Sequence, residues 1–412
     1  MTMSERSLRG VPRARTPLVD RVAVAVLERE LAHLEAGSLE VTLPDGMRRR
    51  FGSGPVVHMR IHDGRLFRRL ATRGKLGFGE SYTAGEWDSN DLVGLFELLV
   101  RNAEAATRRN RTLRRVLDAR PRLNRRNGLL RARRNIGYHY DLGNEFFALM
   151  LDETMTYSCA VFEQPNLTLA DAQRAKLDRV CSKLRLGPDD HVLEIGCGWG
   201  SFAIRAAQTT GCRVTALTIS AEQAKLAGER VAAAGLADRV TILEQDYRLH
   251  EGRYSKVASI EMLEAIGERE FGTYFATIDR VLAPGGIACV QTILIPDDRW
   301  WRYRKTPDWI ERYVFPGCLI PSLTALSVAA TRSSRLLVHE VDEIGPHYAE
   351  TLRRWRANVH KRIDEVRRLG YDGTFQRTWD FYLAFCEAGF RTRALRNVQL
   401  TLTRPLNETI AP

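Results

Sequence analysis

The chain has no run of about 18 apolar residues, the length a helix needs to cross a bilayer. Its longest candidate, Ile287 to Ile295, is broken by Gln291 and Thr292 and reads as a buried strand. The opening residues, MTMSERSLRGVPRART, carry no apolar core, which argues against a secretory signal. The seven cysteines show no paired spacing and are odd in number, which excludes a disulfide framework and points to a reducing cytosol. No internal repeat and no low-complexity tract is present. Acids are scarcer than bases, 50 against 62, leaving a net charge of +12. Such an excess implies an anionic partner surface, nucleic acid or phospholipid.

The basic excess is uneven. Thirteen arginines lie between Arg101 and Arg134. They read either as a solvated linker or as a docking surface for anionic headgroups, worth roughly 1 kcal/mol per basic residue near a membrane. At 412 residues two domains are expected. Residues 1–105 read as a small α+β unit: a helix over 20–37, strands at Leu39–Leu43 and Val56–Ile61, a Gly-rich segment LGFGESYTAGEWD, and a helix from Asp91 to Asn102. Residues 106–136 form the arginine-rich linker. From 137 to 412, strand-like runs at Val192–Ile195, Arg213–Leu217, Val240–Gln245, Lys256–Ile260 and Gly286–Ile293 alternate with helical patterns such as Ala221–Ala234 and Glu270–Leu282. That alternation predicts an α/β, Rossmann-like, doubly wound and mostly parallel sheet.

The G-x-G-x-x-G cradle of a dinucleotide pyrophosphate is absent. In its place Glu194-Ile195-Gly196-Cys197-Gly198-Trp199-Gly200-Ser201 leads from strand to helix with G-x-G-x-G spacing. Glycines allow a tight turn and close approach of backbone to ligand. A sulfonium donor carries no phosphate, and an acid beside it is tolerable, so S-adenosylmethionine is favoured over a nicotinamide dinucleotide. The second strand also lacks a terminal acid for ribose hydroxyls. It ends Thr218-Ile219-Ser220, with Gln223 following, so hydroxyl and amide groups take that work; Ser220 and Gln223 also fit a capping box. After the third strand, Gln245-Asp246-Tyr247 suits an acceptor for an adenine amino group, or a turn.

In order along the chain stand Tyr138-His139-Tyr140-Asp141-Leu142-Gly143-Asn144, Thr156-Tyr157-Ser158-Cys159-Ala160, the glycine loop, Leu217–Ser220, Gln245–Arg248, Ser259-Ile260-Glu261-Met262 with Glu264, Tyr313–Gly317, and His347-Tyr348-Ala349 with Trp355. This ordered set resembles the cyclopropane-fatty-acid synthases and related mycolic-acid-type methyltransferases over roughly 137–405, and residues 20–100 are similar to the small N-terminal domain of bacterial members. The resemblance implies a class I methyltransferase domain with a seven-stranded sheet. It assigns Tyr157, Ser158, Glu194, Gly196, Cys197, Gly198, Gly200, Ser201, Thr218, Ile219, Ser220, Gln223, Gln245 and Asp246 to S-adenosylmethionine. It places Cys159, Glu264 and Tyr348 around a bicarbonate ion, helped by the backbone near Ile293, and matches Cys386 to a cysteine regarded as an active-site residue. No metal is implied.

Two departures stand out. The family's Glu-His-Val-Gly reads Glu264-Ala265-Ile266-Gly267, and its histidine at the end of the fifth strand is Gln291, which cannot carry a proton. The implied reaction adds a methyl carbon to the cis double bond of an unsaturated phospholipid acyl chain. The resulting carbocation loses a proton, closing a cyclopropane ring or leaving a methylene- or methyl-branched chain. Glu264 is the residue expected to orient the base. Cys386 reads more simply as a small buried residue than as a nucleophile, because this reaction needs no thiolate.

The aromatic and basic stretch Arg299 to Pro321, with Trp300, Trp301, Tyr303 and Trp309, suits either a membrane interface or a packed insertion. The expected setting is cytoplasmic, peripheral to the inner face of the membrane. The expected partners are unsaturated phospholipids, with a homodimer as a further option and no nucleic acid. The rival reading, an RNA methyltransferase, draws only on the charge: neither a usual RNA-binding module nor the Asn/Asp-Pro-Pro-aromatic tetrad of amino-group methylation is present.

Overall fold

In the computed structural model, the described residues are 31–109 and 142–410, with Ala25, Glu28 and Arg29 before them. The arginine-rich stretch beyond Arg109, His139 and most of the expected first helix lie outside the described residues. The chain divides into two compact units, Met1–Ala119 and Arg120–Pro412.

The first unit holds a four-stranded sheet of β1 (Gly37–Thr42), β2 (Arg48–Ser53), β3 (Val56–Ile61) and β4 (Trp87–Ser89), in the order β2-β1-β3-β4. Helices α1 (Arg65–Thr83) and α2 (Leu92–Arg109) complete it. Strand β2, RRRFGS, gave no apolar alternation because it is a largely exposed edge. The first eight residues of the Gly-rich segment, LGFGESYT, form the second half of α1. The chain kinks at Gly74, whose φ is +55°, and then continues as helix, burying Gly79 and also Gly77, where a side chain would collide with the Arg69 backbone.

The second unit opens with α3 (Gly143–Met150) and α4 (Leu169–Leu184), the latter capped by the Thr168 hydroxyl, which accepts from the Asp171 amide. Then come β5 (His191–Ile195), α5 (Ser201–Thr210), β6 (Arg213–Thr218), α6 (Ala221–Ala233), β7 (Val240–Glu244), β8 (Tyr254–Ile260), α7 (Phe271–Val281) and β9 (Leu282–Leu294). The chain continues through α8 (Leu323–Ser333), β10 (Leu337–Glu343), α9 (Gly345–Lys361), α10 (Gly373–Arg391) and β11 (Arg396–Thr403). The seven strands lie in the order β10-β11-β9-β8-β5-β6-β7, parallel except where β11 runs against β9 and β10. This is the class I methyltransferase architecture expected from the alternating pattern. Strands β10 and β11 escaped the sequence reading because β10 (LVHEVDE) is mostly solvated and β11 (RNVQLTLT) carries polar residues on a buried face.

Both faces of the sheet are covered. On one, Phe271, Tyr274, Phe275 and Ile278 of α7 pack with Val290, Val398, Leu400 and Leu402. On the other, Leu177, Val180 and Leu184 of α4 join Phe202, Ala203 and Ala206 of α5 over Val192, Val214 and Ala216. Each fully buried side chain of this kind contributes about 1.5–3 kcal/mol. The order reverses between β5 and β8, and at such a switch point the carboxyl ends of neighbouring strands diverge and leave room for a ligand. The turn after β5, the residues after β8, the end of β9 and the start of antiparallel β11 all fall on this edge.

Candidate active site

The turn after β5 is made by glycines in the left-handed region: Gly196, Gly198 and Gly200 have φ of +85°, +52° and +81°. A Cβ on Gly196 would lie 2.6 Å from Met262 Cγ, so the turn can approach the residues after β8 only as glycine. The Gly196 and Cys197 amides donate to the Leu217 carbonyl, tying the loop to the end of β6. Over it lies the segment carrying Tyr157 and Ser158. Ser201 Oγ and the Arg230 guanidinium both donate to the Thr154 carbonyl, and Trp199 Nε1 donates to Asn144 Oδ1 at 2.8 Å. Asn144, the last residue of the motif that begins at Tyr138, thereby fixes the loop tryptophan.

Glu194 is buried, and burial pushes its carboxyl up to about 8. Lys176 on α4 is fully buried, and burial pulls its ammonium down to about 8; its Nζ donates to Ser158 Oγ at 2.7 Å. Thr218 Oγ1 donates to Gln223 Oε1 at 2.8 Å, Ser220 Oγ caps α6 by accepting from the Gln223 amide, and Ile219 lies half-buried between them. The remaining atoms, Glu194 Oε2 and Gln223 Nε2, are buried with no partner. A buried orphan donor and a buried orphan acceptor beside a glycine cradle fit a ligand with both kinds of group, as S-adenosylmethionine has. Gln245 and Asp246 are turned elsewhere. Gln245 Oε1 pairs with His250 Nδ1 at 2.7 Å, and Asp246 takes the Arg248 guanidinium at 2.6 and 2.8 Å while capping the short turn that follows. The turn reading describes these two residues better than the adenine reading.

The second cluster centres on a residue the sequence reading left aside. Glu261 follows β8 with φ of +50°, a left-handed conformation that a side chain rarely adopts. Its Oε1 accepts from the Cys159 amide at 2.9 Å, Gln291 Nε2 at 2.8 Å and Asn397 Nδ2 at 2.6 Å. Its Oε2 accepts from the Tyr348 hydroxyl at 2.7 Å. Cys159, Gln291 and Tyr348 do converge, then, but on a carboxylate of the chain. The donors expected to hold bicarbonate are already engaged, and the residues present do not fit that ion. The only sequence signal for Glu261 was a second acid three residues before Glu264 in SIEMLEAIG.

Glu264 faces the other way along the same edge. Its Oε1 accepts from Thr292 Oγ1 at 2.9 Å and from the Ile293 amide, while Oε2 is a buried orphan. Burial, and then the charge of Glu261, push its carboxyl up to about 8. The Cys159 thiol donates to the Ala160 carbonyl at 3.2 Å and is also pushed up by burial, so it is no nucleophile. Cys386 is half-buried on α10 and makes no hydrogen bond to this cluster; burial holds its thiol protonated. One turn earlier on the same helix, the Tyr382 hydroxyl pairs with that of Tyr157 at 3.0 Å, and Phe315 and Trp355 stack about Tyr157. In the aromatic stretch, Trp300 packs on Phe271 and Trp309 on Phe381, as the packed-insertion alternative has it for these two; Trp301 alone of the three tryptophans is exposed, at 62%.

The model of the mycolic acid cyclopropane synthetase family matches residues 128–400. The chain is 41% identical to the tuberculostearic acid methyltransferase of Mycobacterium tuberculosis over 392 residues, 93% of this chain and 91% of that one. It is 34% identical to the cyclopropane-fatty-acyl-phospholipid synthase of Escherichia coli over 357 residues, 86% of this chain and 89% of that one. Among solved structures, mycolic acid cyclopropane synthase CmaA1 complexed with SAH and CTAB superposes with a TM-score of 0.61 at 29% identity, covering 66% of this chain and 97% of that one.

Proposed function

The chain belongs to the mycolic acid cyclopropane synthetase family and is an S-adenosylmethionine-dependent methyltransferase; we propose that it methylates the cis double bond of an unsaturated phospholipid acyl chain and ends in a methylene- or methyl-branched product, with Glu261 as the base. S-adenosylmethionine, when bound, supplies an electrophilic methyl group. Gly196, Gly198, Gly200, Glu194, Ser158, Thr218 and Gln223 would hold it. The glycine turn and the residues after β8 adjoin at Gly196 and Met262, which brings the donor side and the carboxylate side together.

The observation that carries this reading is the Glu261 carboxylate, held by the Cys159 amide and by Tyr348, Gln291 and Asn397. A carboxylate fixed beside developing positive charge stabilises the cation and then accepts its proton. A cation that is not deprotonated at once at the new methyl takes a hydride from the methylated carbon and becomes tertiary; Glu261 then removes a proton from the methyl, leaving a methylene branch, or from a neighbouring chain carbon, leaving a methyl-branched alkene, and no ring closes. The tuberculostearic acid methyltransferase similarity supports the same outcome. Exposed Trp301, with the Arg304 guanidinium over its ring at 4.5 Å, supplies an amphipathic group suited to headgroup depth, and no helix among the described residues is long and apolar enough to cross a membrane.

The test is to incubate the purified chain with unsaturated phospholipid vesicles and methyl-labelled S-adenosylmethionine, then analyse the acyl chains by gas chromatography–mass spectrometry. Labelled methylene- or methyl-branched chains are expected. A product consisting only of cyclopropane rings would overturn the branching; unlabelled lipid would overturn the reaction.

A further inference from the structure

The buried face of β11 carries two amides, Asn397 and Gln399, where apolar residues would pack without cost. On the opposite face Val398, Leu400 and Leu402 alternate with them and fill the core. Register sets Gln399 against Gln291 and Asn397 against Ile293 of β9. Gln399 Nε2 donates to Gln291 Oε1 at 3.0 Å. That bond decides which way the Gln291 amide points, leaving Gln291 Nε2 to donate to Glu261 Oε1. Asn397 Nδ2 reaches the same oxygen directly. Both side chains are fully buried, and each gives up its own carbonyl oxygen: Asn397 Oδ1 and Gln399 Oε1 have no partner. An arrangement that satisfies the donor ends and abandons the acceptor ends is organised around an anion.

We propose that Asn397 and Gln399 are positioning residues: an amide relay from β11, direct from Asn397 and through Gln291 from Gln399, that aims two of the four donors' bonds at one oxygen of the Glu261 carboxylate and holds it in the geometry for proton removal. The inference rests on the reading of Glu261 as the base. Without Gln399 the Gln291 amide is free to turn over, and its oxygen would then face the carboxylate and repel it. Without Asn397 the carboxylate loses its shortest bond. The charged and titratable groups that face Glu261 are Lys176 from α4, Glu264 beyond β8, Cys159 from the segment before α4, Tyr348 from α9 and Tyr382 from α10. None of these is altered by substitutions on β11, so a loss of kcat at little-changed KM reports on the relay.

The test is a kinetic double-mutant cycle on the full chain with unsaturated phospholipid vesicles and S-adenosylmethionine. Gln399→Leu is expected to lower kcat about tenfold, with KM for the donor within about twofold, since the carboxylate is no longer held in its reacting position. In a Gln291→Leu background the same substitution is expected to cost nothing further, because its effect passes through Gln291. Asn397→Leu is expected to lower kcat in either background, again with KM for the donor within about twofold. Should a leucine variant fail to fold in thermal melts, Gln399→Thr or Asn397→Thr carries the same test, since Thr401 and Thr403 already pack on this face of β11. A full cost of Gln399→Leu in the Gln291→Leu background would reduce Gln399 to packing and overturn the relay. Wild-type kcat in both β11 variants, with Glu261→Gln inactive, would overturn the relay and leave the reading of Glu261 standing. Wild-type turnover by Glu261→Gln would overturn the reading of Glu261 itself.

Discussion

The two halves of the site are built on opposite plans. The half beside β5 and β6 is made by local backbone: three left-handed glycines, a helix capped by Ser220, and amides bonded to the carbonyl of the neighbouring strand. The half beyond β8 and β9 is made by side chains that meet from distant parts of the chain. Glu261 collects donors from Cys159, 102 positions before it, and from Asn397, 136 after it. The first plan sets a shape that a bound molecule completes, and leaves Glu194 and Gln223 with open polar atoms. The second is nearly complete in itself, and its carboxylate is already surrounded. The first plan suits recognition, and the second suits the reacting role proposed for Glu261.

Breaking each half separately should give opposite phenotypes. Glu261→Gln keeps the side chain's shape and removes its charge. Turnover is expected to fall by about a thousandfold or more while calorimetry finds donor affinity within about twofold of wild type. Comparable loss of donor affinity would mean that the halves are not separate. Gly196→Val does the reverse: it puts a branched side chain at φ of +85°, against Met262 Cβ and Cγ at 2.9 and 2.6 Å. Donor binding by calorimetry is expected to weaken by about a hundredfold or more, and unchanged affinity would remove the turn from the binding site. Gln291→His returns the family's usual residue to the carboxylate side. The ratio of ring to branch is expected to change several-fold, measured by gas chromatography–mass spectrometry, and a constant ratio would show that position 291 does not steer the product.

The same division explains what could be read in advance. The glycine loop, the cap at Ser220 and the alternation of strand and helix are written in neighbouring residues, and the structure follows them to within a residue or two at β5, β6, β7 and α6. Cys159, Gln291 and Tyr348 were expected to share a site through resemblance, and the structure does gather them. What they gather about was not legible. Glu261 looks like any acid after a strand until β11 is laid against β9, and β11 itself was hidden because Asn397, Gln399 and Thr401 broke its apolar pattern. Lys176 was hidden for the same kind of reason: within α4 it reads as a solvated charge, yet it is fully buried against Ser158. Polar residues on buried faces contradict the hydrophobic pattern that sequence reading depends on, and here they make up the surroundings of Glu261 and Ser158.

The smallest effect compares the halves through one buried acid in each. Glu194 on the donor side and Glu264 on the carboxylate side are both pushed up to about 8, by burial in the first and by burial with the charge of Glu261 in the second. In the unfolded chain a glutamate releases its proton near about 4.3. Between that pH and about 8 the folded chain holds protons that the unfolded chain has lost, so stability falls as pH rises through this window. Lys176 acts in the next one: pulled down to about 8 from about 10.4 unfolded, it makes stability fall as pH drops from above 10 toward 8. The melting temperature is therefore expected to decline from pH 5 to pH 8. Glu264→Gln, which has no charge to bury, is expected to flatten that decline and to melt a few degrees above wild type at pH 8. Glu194→Gln should do the same to a similar extent, because in either half the penalty lies in the burial, whatever the neighbouring groups are for. Parallel melting curves for wild type and both variants across pH 5–8 would show that neither acid is held protonated by the fold.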